Sequence, residues 1–352
     1  MSVPARPAPH GWIILDKPIG LGSTQAVGAV KRNLREAGFA KVKVGHGGTL
    51  DPLATGVLPI ALGEATKLAG RMLDASKEYE FTVQFGAETD TLDLEGVVVA
   101  ESDARPTLAE LEAVLPRFTG PIEQVPPAYS ALMVDGTRAY ERARAGEVVE
   151  LKSRQLTIHS LKLRHPELVS GPIVPQVSSP DQDQSGAVTL PNSASAEDEK
   201  WALKQVQGDE YGLLEQVTIV AHVSKGTYIR SLARDIARAL GAVGHVTMLR
   251  RTRAGPFGLA QAISLDKLNE LGKGAALENI LLPLEAGLDD IPALTLGPEQ
   301  ASAVRQGRVL TGLPQHDGLY WARTGPVPLA LVELSGGDAR VVRGFNLPDV
   351  AE

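Results

Sequence analysis

One stretch of the chain concentrates residues that could do chemistry. Residues 45–67 read GHGGTLDPLATGVLPIALGEATK, with three glycines in four positions around His46 and the carboxylate of Asp51 just beyond them. Asp51 stands directly before Pro52, and a residue before proline is pushed toward extended backbone, so it belongs on a loop. Gly45, Gly47 and Gly48 would let another backbone or a ligand come close. A loop carboxylate that stays ionised can act as a nucleophile or as a general base. It can equally be a turn-former that caps its own backbone. Two phosphate-binding readings fail on spacing: a G-x-G-x-x-G register needs glycine where Leu50 stands, and no GK[ST] follows the glycines.

A second stretch, Ser224 to Arg253, holds seven Lys or Arg against Asp235 alone, a local net of +6. Such density is the electrostatic footprint of a phosphate backbone, and Tyr228 within it could stack on a base. The plainer reading is a solubilising face, with Arg230, Arg234 and Arg238 as an exposed helix stripe. Taken singly, Tyr79 reads as a strand aromatic, Lys67 as a solvated helix residue and His46 as a structural histidine.

The elements that must position these residues follow from pattern. Trp12 to Asp16 (WIILD) is a short apolar run ended by Lys17-Pro18, and predicts a strand. Ser23 precedes a helical pattern, in the place of its cap, with Val27, Val30 and Leu34 on one face, closed by Gly38. Tyr79, Phe81, Val83 and Phe85 alternate with Glu80, Thr82 and Gln84, which predicts a half-buried strand with Tyr79 at its start. Thr107 with Glu110 makes a capping box for a further helix. Residues 216–223 alternate as a strand, and Ile229, Leu232, Ile236 and Leu240 share one face of a helix ended by Gly241. Past 283–296, a helix over 298–306 and strands over 318–324, 327–334 and 339–345 predict a small β-rich domain.

Composition narrows the classes. The 352 residues include no cysteine, which excludes disulfide scaffolds, thiolate catalysis and Cys-ligated metal. No HExxH pair is present, no signal-peptide pattern opens the chain and no apolar run is long enough to span a bilayer, so a cytoplasmic location is expected. The net charge of −7 argues at first against a nucleic-acid partner. That balance is confined to one segment. Residues 165–215 carry nine acids against two bases, so the remainder is neutral overall. The segment is rich in Pro, Ser, Gln and Asp and reads as a weakly ordered, dispensable insertion.

The glycine-rich stretch resembles the signature of the bacterial tRNA pseudouridine synthase B (TruB) family. The resemblance continues through KEYEFTVQFGAETDTLDLEG (77–96), PPAYSALMVDGTRAY (126–140), KGTYIR (225–230) and HVTMLRR (245–251), and spans Trp12 to about Phe257. It implies an α+β pseudouridine synthase fold: a mixed, largely antiparallel central sheet flanked by helices, plus a small β-rich C-terminal domain. The implied organisation is a loose tail (1–10), a catalytic domain (11–285) interrupted by the acidic insertion (about 165–212), and the small domain (286–352). The implied activity is isomerisation of uridine 55 in the T loop of tRNA, with no cofactor and no metal, and a tRNA-folding role is compatible with it. The implied partner is the T-stem-loop, with no membrane or DNA, and the implied state is a monomer. By the same resemblance Asp51 is the catalytic carboxylate. Tyr79 stacks on the flipped uracil, Arg230 pairs with Asp51, and Tyr228 and Leu249 line the uridine pocket. His46 contacts the T loop, and Lys67 sits at the edge of the site. The basic helix with Arg250, Arg251 and Arg253 would hold RNA phosphates without reading sequence.

Overall fold

The computed structural model describes residues 6–164, 206–208, 212–273 and 275–347. In chain order the elements that matter are strand β1 (Gly11–Lys17), helix α1 (Ser23–Glu36), β2 (Val44–His46), β3 (Thr55–Leu62) and β4 (Lys77–Phe85). Then come β5 (Gly120–Gln124), β6 (Arg154–Leu163), β7 (Val206–Gly208), β8 (Leu214–Val223), α2 (Ile229–Ala239), β9 (Gly244–Ala254), β10 (Ile263–Ser264) and α3 (Leu265–Gly272). The last are β11 (Ala293–Thr295), α4 (Pro298–Arg305), β12 (Gly318–Thr324), β13 (Val327–Ser335) and β14 (Asp338–Gly344). The expected strands and helices all form, with ends within about two residues. The expected insertion lies outside the described residues except at 206–208 and 212, and Val206–Gly208 pair antiparallel with β8.

By contact the chain divides into two compact units. The first is Met1–Tyr79, His222–Gly226 and Leu249–Glu352; the second is Glu80–Ala221 and Thr227–Met248. Strands β4, β8 and β9 contribute residues to both.

In the first unit the strand order is β10–β1–β3–β9. β1 runs antiparallel to β3 and parallel to β10, while β9 lies parallel to β3 with Arg250 opposite Thr55 and Arg251 opposite Gly56. This sheet is buried on both faces, which is why WIILD is a continuous apolar run rather than an alternating one. Ile13, Leu15, Leu58 and Ile60 pack with Ala26, Val30 and Leu34 of α1 and Leu268 of α3. On the opposite face Trp12, Ile14 and Val57 pack with Phe257, Leu284, Leu331 and Phe345. The sheet β11–β12–β13–β14 therefore shares one core with β1 and keeps a second of its own around Leu296, Val304, Leu329 and Val332. In the second unit β6 pairs antiparallel with β5, and Thr82 of β4 bonds Thr218 of β8 side chain to side chain at 2.9 Å. The sheet is mixed and helices flank it, with a separate small β sheet near the C-terminus, which is the architecture the resemblance implies.

One helix start differs from expectation. Ser23 is the first residue inside α1 rather than its cap, and Gln25 Oε1 accepts from the backbone N–H of Gly22 at 2.8 Å instead. The Ser23 hydroxyl is thereby released for the loop described next.

Candidate active site

Asp51 sits on the loop between β2 and β3, which pair antiparallel with His46 opposite Ile60. Four contacts fix that loop. Ser23 Oγ accepts from Leu50 N at 2.8 Å and donates to Leu50 O at 3.0 Å. The N–H of Ala54 closes a turn on the Asp51 carbonyl at 3.1 Å. Lys17, fully buried at the end of β1, donates to the carbonyls of Leu21 (2.7 Å), Pro18 (3.0 Å) and Pro52 (3.2 Å). Arg251, only 1% exposed on β9, donates to the carbonyls of Val57 (2.7 Å), Gly48 (3.2 Å) and Thr49 (3.3 Å). The loop therefore leans on two buried cations, one on each side of Asp51 in sequence.

The glycines serve this packing. Gly56 has φ +99°, and a Cβ there would lie 2.1 Å from the Arg251 carbonyl oxygen. A Cβ at Gly47 would lie 2.6 Å from the Cβ of Met72. Close approach was expected at Gly45, Gly47 and Gly48; of these only Gly47 is tightly packed, against the Met72 side chain, while a Cβ at Gly48 would make ordinary contact with Arg251 and one at Gly45 would meet nothing within 4 Å.

The same cations set the electrostatics. Burial pushes the Lys17 ammonium down to about 8 from 10.5; the Asp51 charge opposes that shift and the Arg251 charge adds to it. His46 is pushed below its ordinary value, first by burial and then by Arg251, so its imidazole is neutral near pH 7. Its Nδ1 is buried without a hydrogen-bond partner among the described residues. A pH dependence follows. The Lys17 pKa is lower folded than unfolded, so stability gained from this group rises with pH between about 8 and 10.5. Over the same window the loop loses the charged donor that holds three carbonyls. Activity is expected to fall as pH rises through about 8, while the thermal midpoint shows no parallel drop attributable to Lys17. A pH–rate profile beside a melting series checks this.

Tyr79 and Leu249, both half-buried, rest against the α1-side core. Leu249 is one residue before the Arg250–Thr55 pair, and so lies at the far end of the Asp51 loop. Lys67 is used differently from the expectation. Its ammonium bonds Glu64 (2.6 Å) and the Gly344 carbonyl (2.8 Å), and Glu64 accepts from Asn346 N at 2.6 Å. These bonds tie the turn after β3 to the C-terminal sheet, which gives Lys67 a structural role.

Tyr228 and Arg230 belong to the second unit. Gln124, 2% exposed, grips the Tyr228 backbone from both sides: its Oε1 accepts from Tyr228 N (2.8 Å) and its Nε2 donates to Tyr228 O (3.1 Å). Arg230 is buried, not on an exposed stripe. It donates to the carbonyls of Thr91 (2.7 Å) and Tyr129 (3.0 Å) and lies 3.3 Å from the Asp93 carboxylate. Asp93 is fixed in turn by the Thr91 hydroxyl (2.6 Å) and Glu95 N (3.0 Å), in a turn where Leu92 takes φ 65°. Asp93 and Gln124 had no role in the sequence reading, and Lys17 figured there only as the end of a strand. Lys17 and Asp93 carried a signal: a lysine ending an all-apolar strand, and an aspartate inside the TDTLDLEG block.

The +6 stretch does not survive folding as a positive patch. Lys225 pairs with Asp74, Arg238 with Glu88, Arg250 with Asp16 and Arg234 with Asp235. Arg253 lies 3.7 Å from Glu78, and Arg230 and Arg251 are buried. Arg251 holds the Asp51 loop from inside and offers no surface to a phosphate. The acids that neutralise the stretch come mostly from distant parts of the chain, which a local sum cannot see.

Comparison with known proteins fixes the family. Residues 34–173 match the profile of the TruB family pseudouridylate synthase N-terminal domain, and residues 230–289 that of the tRNA pseudouridylate synthase B C-terminal domain. The tRNA pseudouridine synthase B of Novosphingobium aromaticivorans is 66% identical over 342 residues, covering 97% of this chain and 99% of the relative. That of Zymomonas mobilis is 53% identical over 337 residues, covering 96% of each. Among solved structures, a chain of an H/ACA RNP bound to a substrate RNA containing 2′-deoxyuridine aligns with TM-score 0.62 at 22% identity, over 97% of this chain and 86% of that one. That last likeness carries the fold, and the sequence relatives carry the rest: this chain belongs to the TruB family of pseudouridylate synthases.

Proposed function

We propose that the chain isomerises uridine 55 in the T loop of tRNA to pseudouridine, with Asp51 as the catalytic carboxylate. The observation that carries this reading is the Asp51 loop, whose backbone is held from below by Lys17, Arg251 and Ser23. A reacting group placed this firmly is preorganised, and a displacement of about 1 Å can cost on the order of 10²-fold in rate.

The reaction breaks the C1′–N1 bond, turns the uracil and joins C1′ to C5; the C5 proton leaves and N1 gains one. Product and substrate are isomers, so the sum needs no oxidant and no co-substrate. Asp51 either attacks C1′ or removes the proton that starts a glycal route. The uridine must leave the stack, at a cost of roughly a few kcal/mol, which stacking on Tyr79 offsets. Arg230, oriented by Asp93 and two carbonyls, is the cation that the family resemblance assigns to the Asp51 carboxylate. Tyr228 and Leu249 line the pocket. Neutral His46 meets the T loop by packing rather than by charge. The chain acts as a monomer on the T-stem-loop.

The test is direct. Purified protein is incubated with an unmodified T-stem-loop, and pseudouridine is mapped by chemical labelling. One modified position, in the loop, is the expected result. No product, or product elsewhere in the stem-loop, would overturn the assignment.

A further inference from the structure

The neutralised stretch leaves open where the RNA backbone is held outside the pocket. Another surface of the first unit has the chemistry for it. Between the end of α1 and β2, Lys31, Arg35, Lys41 and Lys43 rim a cleft of about 800 Å³ floored by Leu34 and Phe39. Among the described residues no acidic side chain lines it. All four cations are exposed, and none of their side chains has a hydrogen bond or ion pair among the described residues. Glu36 is the acid next to Arg35 on α1, and Glu278 at the margin is already paired with Arg6, whose guanidinium sits over the Phe39 ring. Lys31 and Arg35 are one helical turn apart and share a face. Lys41 and Lys43 are exposed while Val42 and Val44 pack inward, so the two lysines leave the chain on the same, solvent side. That segment continues without a break into β2, His46 and the Asp51 loop.

We propose that this cleft binds the phosphodiester backbone of the same tRNA whose uridine enters the Asp51 site. The inference rests on the function proposed above and adds a second point of attachment to it. Unpaired lysines and arginines on a common rim release counterions when they meet phosphates, which gives sequence-independent affinity. Their place at the head of β2 puts the contact on RNA flanking the flipped nucleotide.

The experiment compares wild type with K31Q/R35Q/K41Q/K43Q and with the smaller K41Q/K43Q. Two readouts are used: steady-state pseudouridine formation on full-length unmodified tRNA, and salt-dependent RNA binding. The expected result for the quadruple variant is KM raised about tenfold or more with kcat within twofold. Its log–log salt slope should be shallower by about 3, at roughly 0.7–0.9 per phosphate contact. K41R/K43R should restore both. The double variant should show about half the change in slope, and it removes side chains from an exposed segment only, so folding is not at issue. Unchanged KM and unchanged slope in an active enzyme would overturn the cleft. Wild type that forms no pseudouridine, while the variant's slope still falls, would instead overturn the catalytic reading and leave the cleft as a nucleic-acid site.

Discussion

Asp51→Asn protein is expected to form no measurable pseudouridine, a loss of at least about 10⁴-fold, while binding the T-stem-loop within a few-fold of wild type. The size of the effect follows from the chemistry. Both routes open to the reaction use the ionised carboxylate itself, as nucleophile or as base, and an amide can do neither. The persistence of binding follows from the geometry. The backbone contacts that shape the loop run through the carbonyls of Gly48, Thr49 and Pro52 and through both backbone groups of Leu50. Those supports act on backbone groups, and the Asp51 carbonyl is itself held by Ala54 N, all of which the substitution leaves intact. Single-turnover assays at saturating enzyme separate the two effects, and filter binding measures the second. A near-normal rate would remove Asp51 from the mechanism. A variant that no longer binds RNA would show that the carboxylate is a structural member of the loop.

Much of this was legible in the sequence, for identifiable reasons. Strand and helix patterns are local, so β4, the Thr107–Glu110 capping box and the C-terminal strands could be read directly from residue order. The Asp51 loop was legible because glycines and an Asp-Pro step constrain backbone whatever lies around them. What could not be read was long-range pairing. Lys17 and Arg251 look like ordinary basic residues until β1, β3 and β9 align and enclose them. Arg230 looks like part of an exposed stripe until the Thr91–Asp93 turn closes over it. Lys67 looks solvated until the C-terminal sheet brings up Gly344. In each case the missing term is a partner tens to hundreds of residues away, often a backbone carbonyl that carries no side-chain signal. The basic stretch failed for the same reason, and the unpaired cations lie around 31–43, a shorter run whose five Lys or Arg in 13 residues are in fact denser.

Arg251→Lys should then be far from conservative, with a loss of about 2–4 kcal/mol in stability and about 10²-fold in kcat. The guanidinium reaches three carbonyls with three different nitrogens: Nε to Val57, Nη1 to Thr49 and Nη2 to Gly48. A lysine ammonium is a single point at the end of a narrower stem, and cannot span carbonyls on both β3 and the preceding loop. The bonds to Val57 and Gly48 are buried, so each carbonyl orphaned there costs about 1–3 kcal/mol, less whatever the lysine recovers, while the carbonyl of exposed Thr49 can turn to water. The first acceptors released belong to Gly48 and Thr49, directly ahead of Asp51, so the loop should loosen where placement of the carboxylate matters most. Thermal melting tests the first part. The rate is then measured well below the variant's melting point, so that an unfolded fraction does not pass for a catalytic defect. Lost kcat with KM near wild type would mark Arg251 as a positioning residue beneath the loop. Raised KM with unchanged kcat would instead mean that the side chain touches RNA, as the charge pattern of the sequence first suggested.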